Sequence, residues 1–169
     1  MSLIIILMSC NLRFVSWNVK GLNYPVKRNR VLSHLRQLKT GVAFLQETHL
    51  RHSDHSRIYK SWVGQLFHSS FPAKARGVAI LIDKAVSFVP SQVIADKNGR
   101  FIIVSGKLLD TFVTFANIYA PNIDDVKFFQ HVLGMLPGLN SHPLIIGGDF
   151  NCCLDPVLDR SSTRPRVVS

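Results

Sequence analysis

Six short apolar runs constrain this 169-residue chain more than any other feature: Leu12–Trp17, Val42–Leu45, Val78–Ile82, Phe101–Val104, Phe112–Ile118 and Leu144–Ile146. They are rich in Val, Ile and Phe, and each is bounded by Gly, Pro, Asn, Asp or Lys, a pattern that predicts strands. In Phe112–Ile118 the alternating sets Phe112, Thr114, Ala116 and Val113, Phe115, Asn117 are both largely apolar, so this strand is expected to be covered on two faces. Two other segments have helical period. Val31, Leu32, Leu35 and Leu38 share a face, with Pro25 suited to the first turn and Gly41 to the stop. Phe128, Phe129, Val132, Leu133 and Leu136 share another, with Asn122 or Asp124 as the cap and an end before Pro137. Strand, helix, strand, several strands, helix, strand is the order of a mixed-sheet α/β sandwich with helices outside. An all-parallel sheet is excluded, because Val78 to Ile118 offers successive strands with no helix between them. Glycine placement matches neither a P-loop nor a dinucleotide fingerprint.

Charge supplies the first functional indication. Lys plus Arg number 20 against 10 acids, a net charge of +10, which favours polyanionic partners and nucleic acid above all. From Asn11 to Gln46 there is no acid, while Arg13, Lys20, Lys27, Arg28, Arg30, Arg36 and Lys39 are basic. The three cysteines, Cys10 and the adjacent Cys152 and Cys153, form neither a disulfide framework nor a zinc spacing, so an intracellular, reducing location (nuclear or cytoplasmic, not secreted) is expected. Leu3–Met8 is apolar but too short to span a membrane and poorly flanked for a signal peptide. It reads as an extra strand within an N-terminal segment, 1–11, ahead of a single domain over 12–169.

The polar residues that matter stand at the ends of the apolar runs. Asn18 follows Phe14–Trp17; Gln46, Glu47 and Thr48 follow Val42–Leu45; Asn117 and Tyr119 close Phe112–Ile118; Asp149 and Asn151 follow Leu144–Gly148. Taken singly, each has an ordinary reading: a solvated loop glutamate, a turn asparagine, an Asx-turn at Asp149, a half-buried tyrosine. Taken together, and with Glu47 the only glutamate in the chain, they place hard oxygen donors and two formal negative charges on one rim. Such a site suits Mg²⁺ that keeps several waters and a substrate phosphate.

Four stretches in order, Ser16-Trp17-Asn18-Val19, Leu45-Gln46-Glu47-Thr48, Asn117-Ile118-Tyr119-Ala120-Pro121 and Gly147-Gly148-Asp149-Phe150-Asn151, resemble the signature motifs of the endonuclease/exonuclease/phosphatase superfamily. Asn18–Asn23 leading to Lys27-Arg28, Gln46–Leu50, Gly77–Ile82 and Leu158–Ser161 are similar to the N-terminal endonuclease domain of LINE-type retrotransposon polyproteins in particular. The resemblance implies a four-layered sandwich of two mixed β-sheets with outer helices, incomplete at its C-terminal side. It also implies a monomer that acts on DNA and makes no use of a membrane. Residue by residue, it implies Mg²⁺ or Mn²⁺ held by Glu47 with Asn18. Asp149 would orient and deprotonate the attacking water, Asn151 would steady Asp149 and the phosphate, and Tyr119 would donate to the phosphate. Asn122 and Arg160 would meet the DNA backbone.

The family pattern continues past Asp149 with a further strand-end aspartate and then a Ser-Asp-His motif, which does not follow there; the tripeptide Ser53-Asp54-His55 lies far earlier, just after the Glu47 run. His49, His52 and His55 lie in an Arg- and Ser-rich stretch that reads as solvated surface, and do not replace it. Because members of a catalytic unit act together, feeble nicking is expected of this chain alone. The second sheet is expected to show an unpaired edge and a partly bare apolar face, with marginal stability or aggregation. Two other readings remain open. One is a catalytically dead remnant that only binds nucleic acid; the other is an abasic-site nuclease or inositol phosphatase of the same superfamily.

Overall fold

The computed structural model describes residues 3–7, 12–59, 62–73, 75–122, 125–138 and 141–151. The apolar runs form strands in two sheets. The first contains β1 (Leu3–Leu7), β2 (Leu12–Asn18), β3 (Val42–Gln46), β4 (Val63–Ser69) and β5 (Val78–Asp83), in the order β1-β2-β3-β5-β4. The second contains β6 (Phe88–Ala95), β7 (Phe101–Leu108), β8 (Thr111–Tyr119) and β9 (Leu144–Asp149), in that order. Two neighbouring pairs, β2–β3 and β8–β9, are parallel and the rest antiparallel. A parallel pair needs a crossover, and helices α1 (Pro25–Gln37) and α2 (Val126–Met135) supply the two.

Alternation along the strands sorts side chains into layers. Val15, Ala43, Leu45, Ala79 and Leu81 face α1, where Val31, Leu32 and Leu35 cover them. Their neighbours Phe14, Val42, Phe44, Val78, Ile80 and Ile82 face the second sheet and meet Phe88, Ile102, Val104 and Phe115. The other face of β7 and β8, with Phe101, Ile103, Ala116 and Ile118, packs on Phe128 and Val132 of α2. The result is the expected four layers: helix, sheet, sheet, helix. Between the sheets, Phe14, Phe44, Phe88 and Phe115 contact one another with ring centroids 5.2–6.5 Å apart. Each such pair contributes about 0.5–1.5 kcal/mol beyond its burial. Gly147 allows β9 to close on β3, because a Cβ there would lie 2.6 Å from the Phe44 ring.

Several local expectations need correction. Helix α1 ends in a left-handed residue at Lys39 (φ 52°), not at Gly41, which enters the extended chain where the Leu12 side chain leaves no room for a Cβ. The cap of α2 is Asp125, whose side chain accepts from Phe128 N at 2.9 Å; Asn122 lies upstream and Asp124 outside the described residues. Besides β1, two strands have no counterpart among the six apolar runs. The edge strand β6 is broken in pattern by Pro90 and Ser91, and it carries a bulge between Pro90 and Gln92 where an edge tolerates proline. Strand β4 opens Val63-Gly64-Gln65, with its own register shift there. The extra strand expected near the N-terminus is present as β1, antiparallel to β2. Among the described residues β9 pairs only with β8, and Leu144, Ile145 and Ile146 are half-buried.

The histidine stretch is also not a solvated loop. Residues His52–Ile58 form a 3₁₀ helix, pinned by fully buried Ile58 in the layer beneath α1. That anchor draws His55 inward until it is 3% exposed, its Nδ1 donating to Arg51 O at 2.8 Å. The His55 ring stacks on His68 of β4 (3.5 Å, 9°), and His52 lies 4.8 Å from the same ring. Burial pulls His55 below the usual imidazole range. Burial, reinforced by the neighbouring His55 and His52, takes His68 to about 4. Asp54, held by Arg57 at 3.2 Å, offsets little of this. The folded pKa values are depressed, so the unfolded chain takes up these protons first. Stability is therefore fully present above about pH 6.5 and declines as pH falls toward 4. Thermal melts across that window should show the decline in the wild type and a smaller one in His68→Gln; equal slopes would refute it.

Candidate active site

Parallel pairing delivers strand ends to a common edge. In β2–β3 Asn18 stands opposite Gln46, and in β8–β9 Tyr119 stands opposite Asp149. Beyond the strands the two chains of the first sheet run on together: Val19 N donates to Gln46 O (3.0 Å), Gly21 N to Glu47 O (2.7 Å) and Leu22 N to Thr48 O (2.8 Å). From α1, buried Arg28 donates to Leu22 O at 2.9 Å and Asn23 O at 3.2 Å, fixing this loop from behind. Left-handed backbone clusters here, at Lys20, Glu47, His49, Arg76 and Asn151. Non-glycine residues in that region cost of order 1 kcal/mol or more each and persist where the surroundings enforce them, which is characteristic of functional sites.

Beneath the rim lies a polar bolt between the sheets. Gln46 Nε2 donates to Asn117 Oδ1 (2.7 Å), Phe44 O (3.1 Å) and Ser16 Oγ (3.2 Å). Asn117 Nδ2 donates to Leu45 O (2.9 Å) and Ala79 O (2.8 Å), and Gly148 N donates to Ser16 Oγ (3.0 Å). Gln46 and Asn117 are almost wholly buried. They are scaffold for Glu47, Tyr119 and Asp149.

The site itself turns on one amide. Asn18 Nδ2 donates to Glu47 Oε1 at 2.8 Å and to Asp149 Oδ2 at 2.7 Å, so a single nitrogen holds both carboxylates. The Asn18 oxygen faces Lys20 N at 3.1 Å. The second Glu47 oxygen lies 3.5 Å from His49 Nε2, and Asp149 Oδ1 accepts from Asn151 N at 3.2 Å, the Asx-turn read as one option for this stretch. Asn151 turns its side chain to Ala120 O (2.7 Å), bracing Asp149 through the backbone. Tyr119 is 9% exposed and hydrogen-bonded to Glu47. Burial first, then the Glu47 charge and that bond, raise its pKa above the ordinary phenol range, so it remains a proton-bearing donor.

The strand-end residues Asn18, Glu47, Tyr119, Asp149 and Asn151 are thus brought together. Asn122 is exposed two residues past Ala120. Arg160, Cys152, Cys153 and the stretch Leu158–Ser161 lie outside the described residues. Two neighbours were not anticipated. His49 faces Glu47, and Arg100 lies over the Tyr119 ring at 4.9 Å from its centroid while donating to Ala120 O at 3.1 Å. Strand pairing could have found Arg100, since it directly precedes β7 opposite the end of β8; His49 lies in the Gln46–Leu50 run, but its composition pointed to solvated surface rather than to Glu47.

Among the described residues no three His, Cys, Asp or Glu side chains converge as a protein-only metal cage. The donor set nevertheless suits a hard cation. Two carboxylates share one neutral amide, and among the described residues neither is paired with Lys or Arg within 4 Å. Like charges so close favour a cation that keeps waters and accepts further oxygen ligands from a substrate. No described helix is long and apolar enough to cross a membrane.

Comparison with known proteins agrees with this architecture. The profile of the Endonuclease/Exonuclease/phosphatase family matches residues 15–167. A Xenopus laevis protein, the transposon TX1 uncharacterized 149 kDa protein, is 32% identical over 162 residues, covering 90% of this chain and 12% of that protein. Two solved structures share the fold. Danio rerio TDP2 complexed with single-strand DNA product has a TM-score of 0.63 at 22% identity, covering 84% of this chain and 61% of that one. The endonuclease domain of TRAS1, a telomere-specific non-LTR retrotransposon, has a TM-score of 0.58 at 14% identity, covering 84% and 60%. The chain therefore spans about an eighth of its curated relative and about three fifths of these two structures.

Proposed function

The chain belongs to the endonuclease/exonuclease/phosphatase family, and from that premise we propose that its site hydrolyses phosphodiester bonds in DNA as the nicking endonuclease of a LINE-type retroelement. The observation that carries the reading is the Asn18 amide bridging Glu47 and Asp149 beside a neutral, buried tyrosine. Asp149 is the proton acceptor for an attacking water, its carboxylate aimed by Asn18 on one oxygen and by Asn151 N on the other. Tyr119 donates its hydroxyl toward phosphate oxygen as charge develops there. Glu47 would hold Mg²⁺ or Mn²⁺, its carboxylate aimed by Asn18 Nδ2, and Asn18 would add a ligand only through the amide oxygen that here faces Lys20 N; the ion when bound would neutralise phosphate charge. Binding and positioning supply most of the rate, since little covalent chemistry falls to the protein. The relation to a transposon protein and the net charge of +10 favour DNA over a free inositol phosphate.

The 169 residues by themselves are expected to nick slowly, because no Ser-Asp-His follows Asp149 within them, where the family carries one. Supercoiled plasmid supplies the test. The open-circle product should accumulate with Mg²⁺, vanish with chelator, and resist competition by inositol hexakisphosphate at equal phosphate. Binding that survives chelation, with no product even at high protein in Mg²⁺, would instead identify a dead nucleic-acid-binding remnant. Preferential release of phosphate from inositol phosphates would defeat the DNA reading.

A further inference from the structure

We propose that Arg76 and Arg100 form a second phosphate subsite, one that grips the DNA backbone beside the bond held at Glu47 and Asp149. The proposal rests on the phosphodiesterase reading above and names what that site binds next to the reacting phosphate.

Four backbone bonds set the two arginines against the cluster. Thr48 N donates to Gly77 O (3.0 Å), His49 N to Arg76 O (2.8 Å), Gly77 N to Gly99 O (3.1 Å) and Tyr119 N to Arg100 O (2.6 Å). The turn 76–77 and the start of β7 are thereby stitched to the segment carrying Glu47 and to the end of β8. The approach is close: at Gly99 a Cβ would lie 3.0 Å from both Gly77 N and Phe71 N. Arg76 rests over the Phe71 ring, 4.7 Å from its centroid, and Arg100 over Tyr119. Arg100 Nη1 shares the Ala120 carbonyl with Asn151, so this guanidinium is one acceptor removed from the Asp149 turn.

Neither guanidinium has a carboxylate within 4 Å among the described residues; Asp96, the nearest acid to act on Arg100, accepts from its backbone N instead. Arg76 is close enough for its charge to oppose that of Arg100. Two like charges without a carboxylate partner among the described residues, on an aromatic-backed rim, repel until an anion joins them. A guanidinium fork carries five N–H donors, more than the contacts of Arg100 with Ala120 O and Tyr119 use. A phosphate is the anion that matches this fork, and a polynucleotide is the substrate that brings a second phosphate next to the first. An isolated phosphodiester cannot use the pair.

Binding in chelator separates this subsite from the chemistry. A labelled DNA duplex is titrated by fluorescence anisotropy over a range of salt, with the full chain and with Arg76→Gln, Arg100→Gln and Arg100→Lys. Each glutamine should weaken binding about 3- to 10-fold and reduce the slope of log K against log salt by about 0.9, the share of one phosphate contact. Lysine should recover most of the slope, which a merely structural role would not allow. Lys107→Gln, an equal charge loss at the opposite end of β7, should leave the slope unchanged. If all four variants share the wild-type slope, or if the wild type does not bind the duplex, the subsite is wrong. The catalytic reading fails on a different result, namely Mg²⁺-dependent product that persists in Glu47→Gln.

Discussion

Glu47→Gln is expected to lower Mg²⁺-dependent nicking of supercoiled plasmid about 100-fold or more, with little loss of thermal stability. The replacement is isosteric, and an amide oxygen still accepts from Asn18 Nδ2, so the local backbone and the Asn18–Asp149 bond have no reason to move. What disappears is the charge of one of the two carboxylates that Asn18 holds. A loss of two decades in rate corresponds to about 2.7 kcal/mol of transition-state stabilisation, the scale found when one preorganised electrostatic contact is removed. Binding of DNA in chelator should hold or tighten slightly, since a carboxylate that repels phosphate has gone. Retention of more than a tenth of the wild-type rate would mean that the reacting phosphate sits elsewhere.

The second large effect is on stability. Asn117→Leu keeps the branched heavy-atom shape, with bulkier methyls, but strips the bolt between the sheets. Gln46 Nε2 loses its shortest acceptor, and Leu45 O and Ala79 O lose side-chain donors, all of them in residues buried away from solvent. Buried groups left unsatisfied cost about 1–3 kcal/mol each, less where a ladder bond remains, for a total of about 2–5 kcal/mol. For a chain of this size that is a melting temperature lower by about 5–15 °C. The double variant Gln46→Leu/Asn117→Leu should be less destabilised than the sum of its singles, because replacing both partners avoids the orphaned amide. Circular-dichroism melts decide it; an Asn117→Leu chain as stable as the wild type would show that the network contributes no net stability.

Convergence of the candidate residues was legible in the sequence, because each closes an apolar run and parallel strands end on one side. Asn18, Glu47, Tyr119, Asp149 and Asn151 meet for that reason. The roles of Gln46 and Asn117 were not legible. They share the strand-end pattern, yet alternation turns them into the space between sheets, where they hold the structure rather than substrate. The histidines misled in the opposite direction: polar composition predicted solvation, while the anchor at Ile58 carried His55 under a covering ring. Edge strand β6 hid behind Pro90 because an edge residue has no ladder partner to lose on its outer side.

Hydrophobic periodicity alone determined that this chain builds strands covered on both faces with a helix outside each sheet, since burial depends on spacing along the chain and spacing is written in the residues. Polar termini on those strands determined which side chains would face a common rim. Only the tertiary structure decided that Gly147 brings β9 against Phe44, that Asn18 reaches both carboxylates, and that Arg76 and Arg100 lie over the rings of Phe71 and Tyr119. Those outcomes depend on strand order, register and left-handed turns at residues such as Glu47 and Arg76, which are enforced by contacts between segments far apart in the chain and leave no local trace.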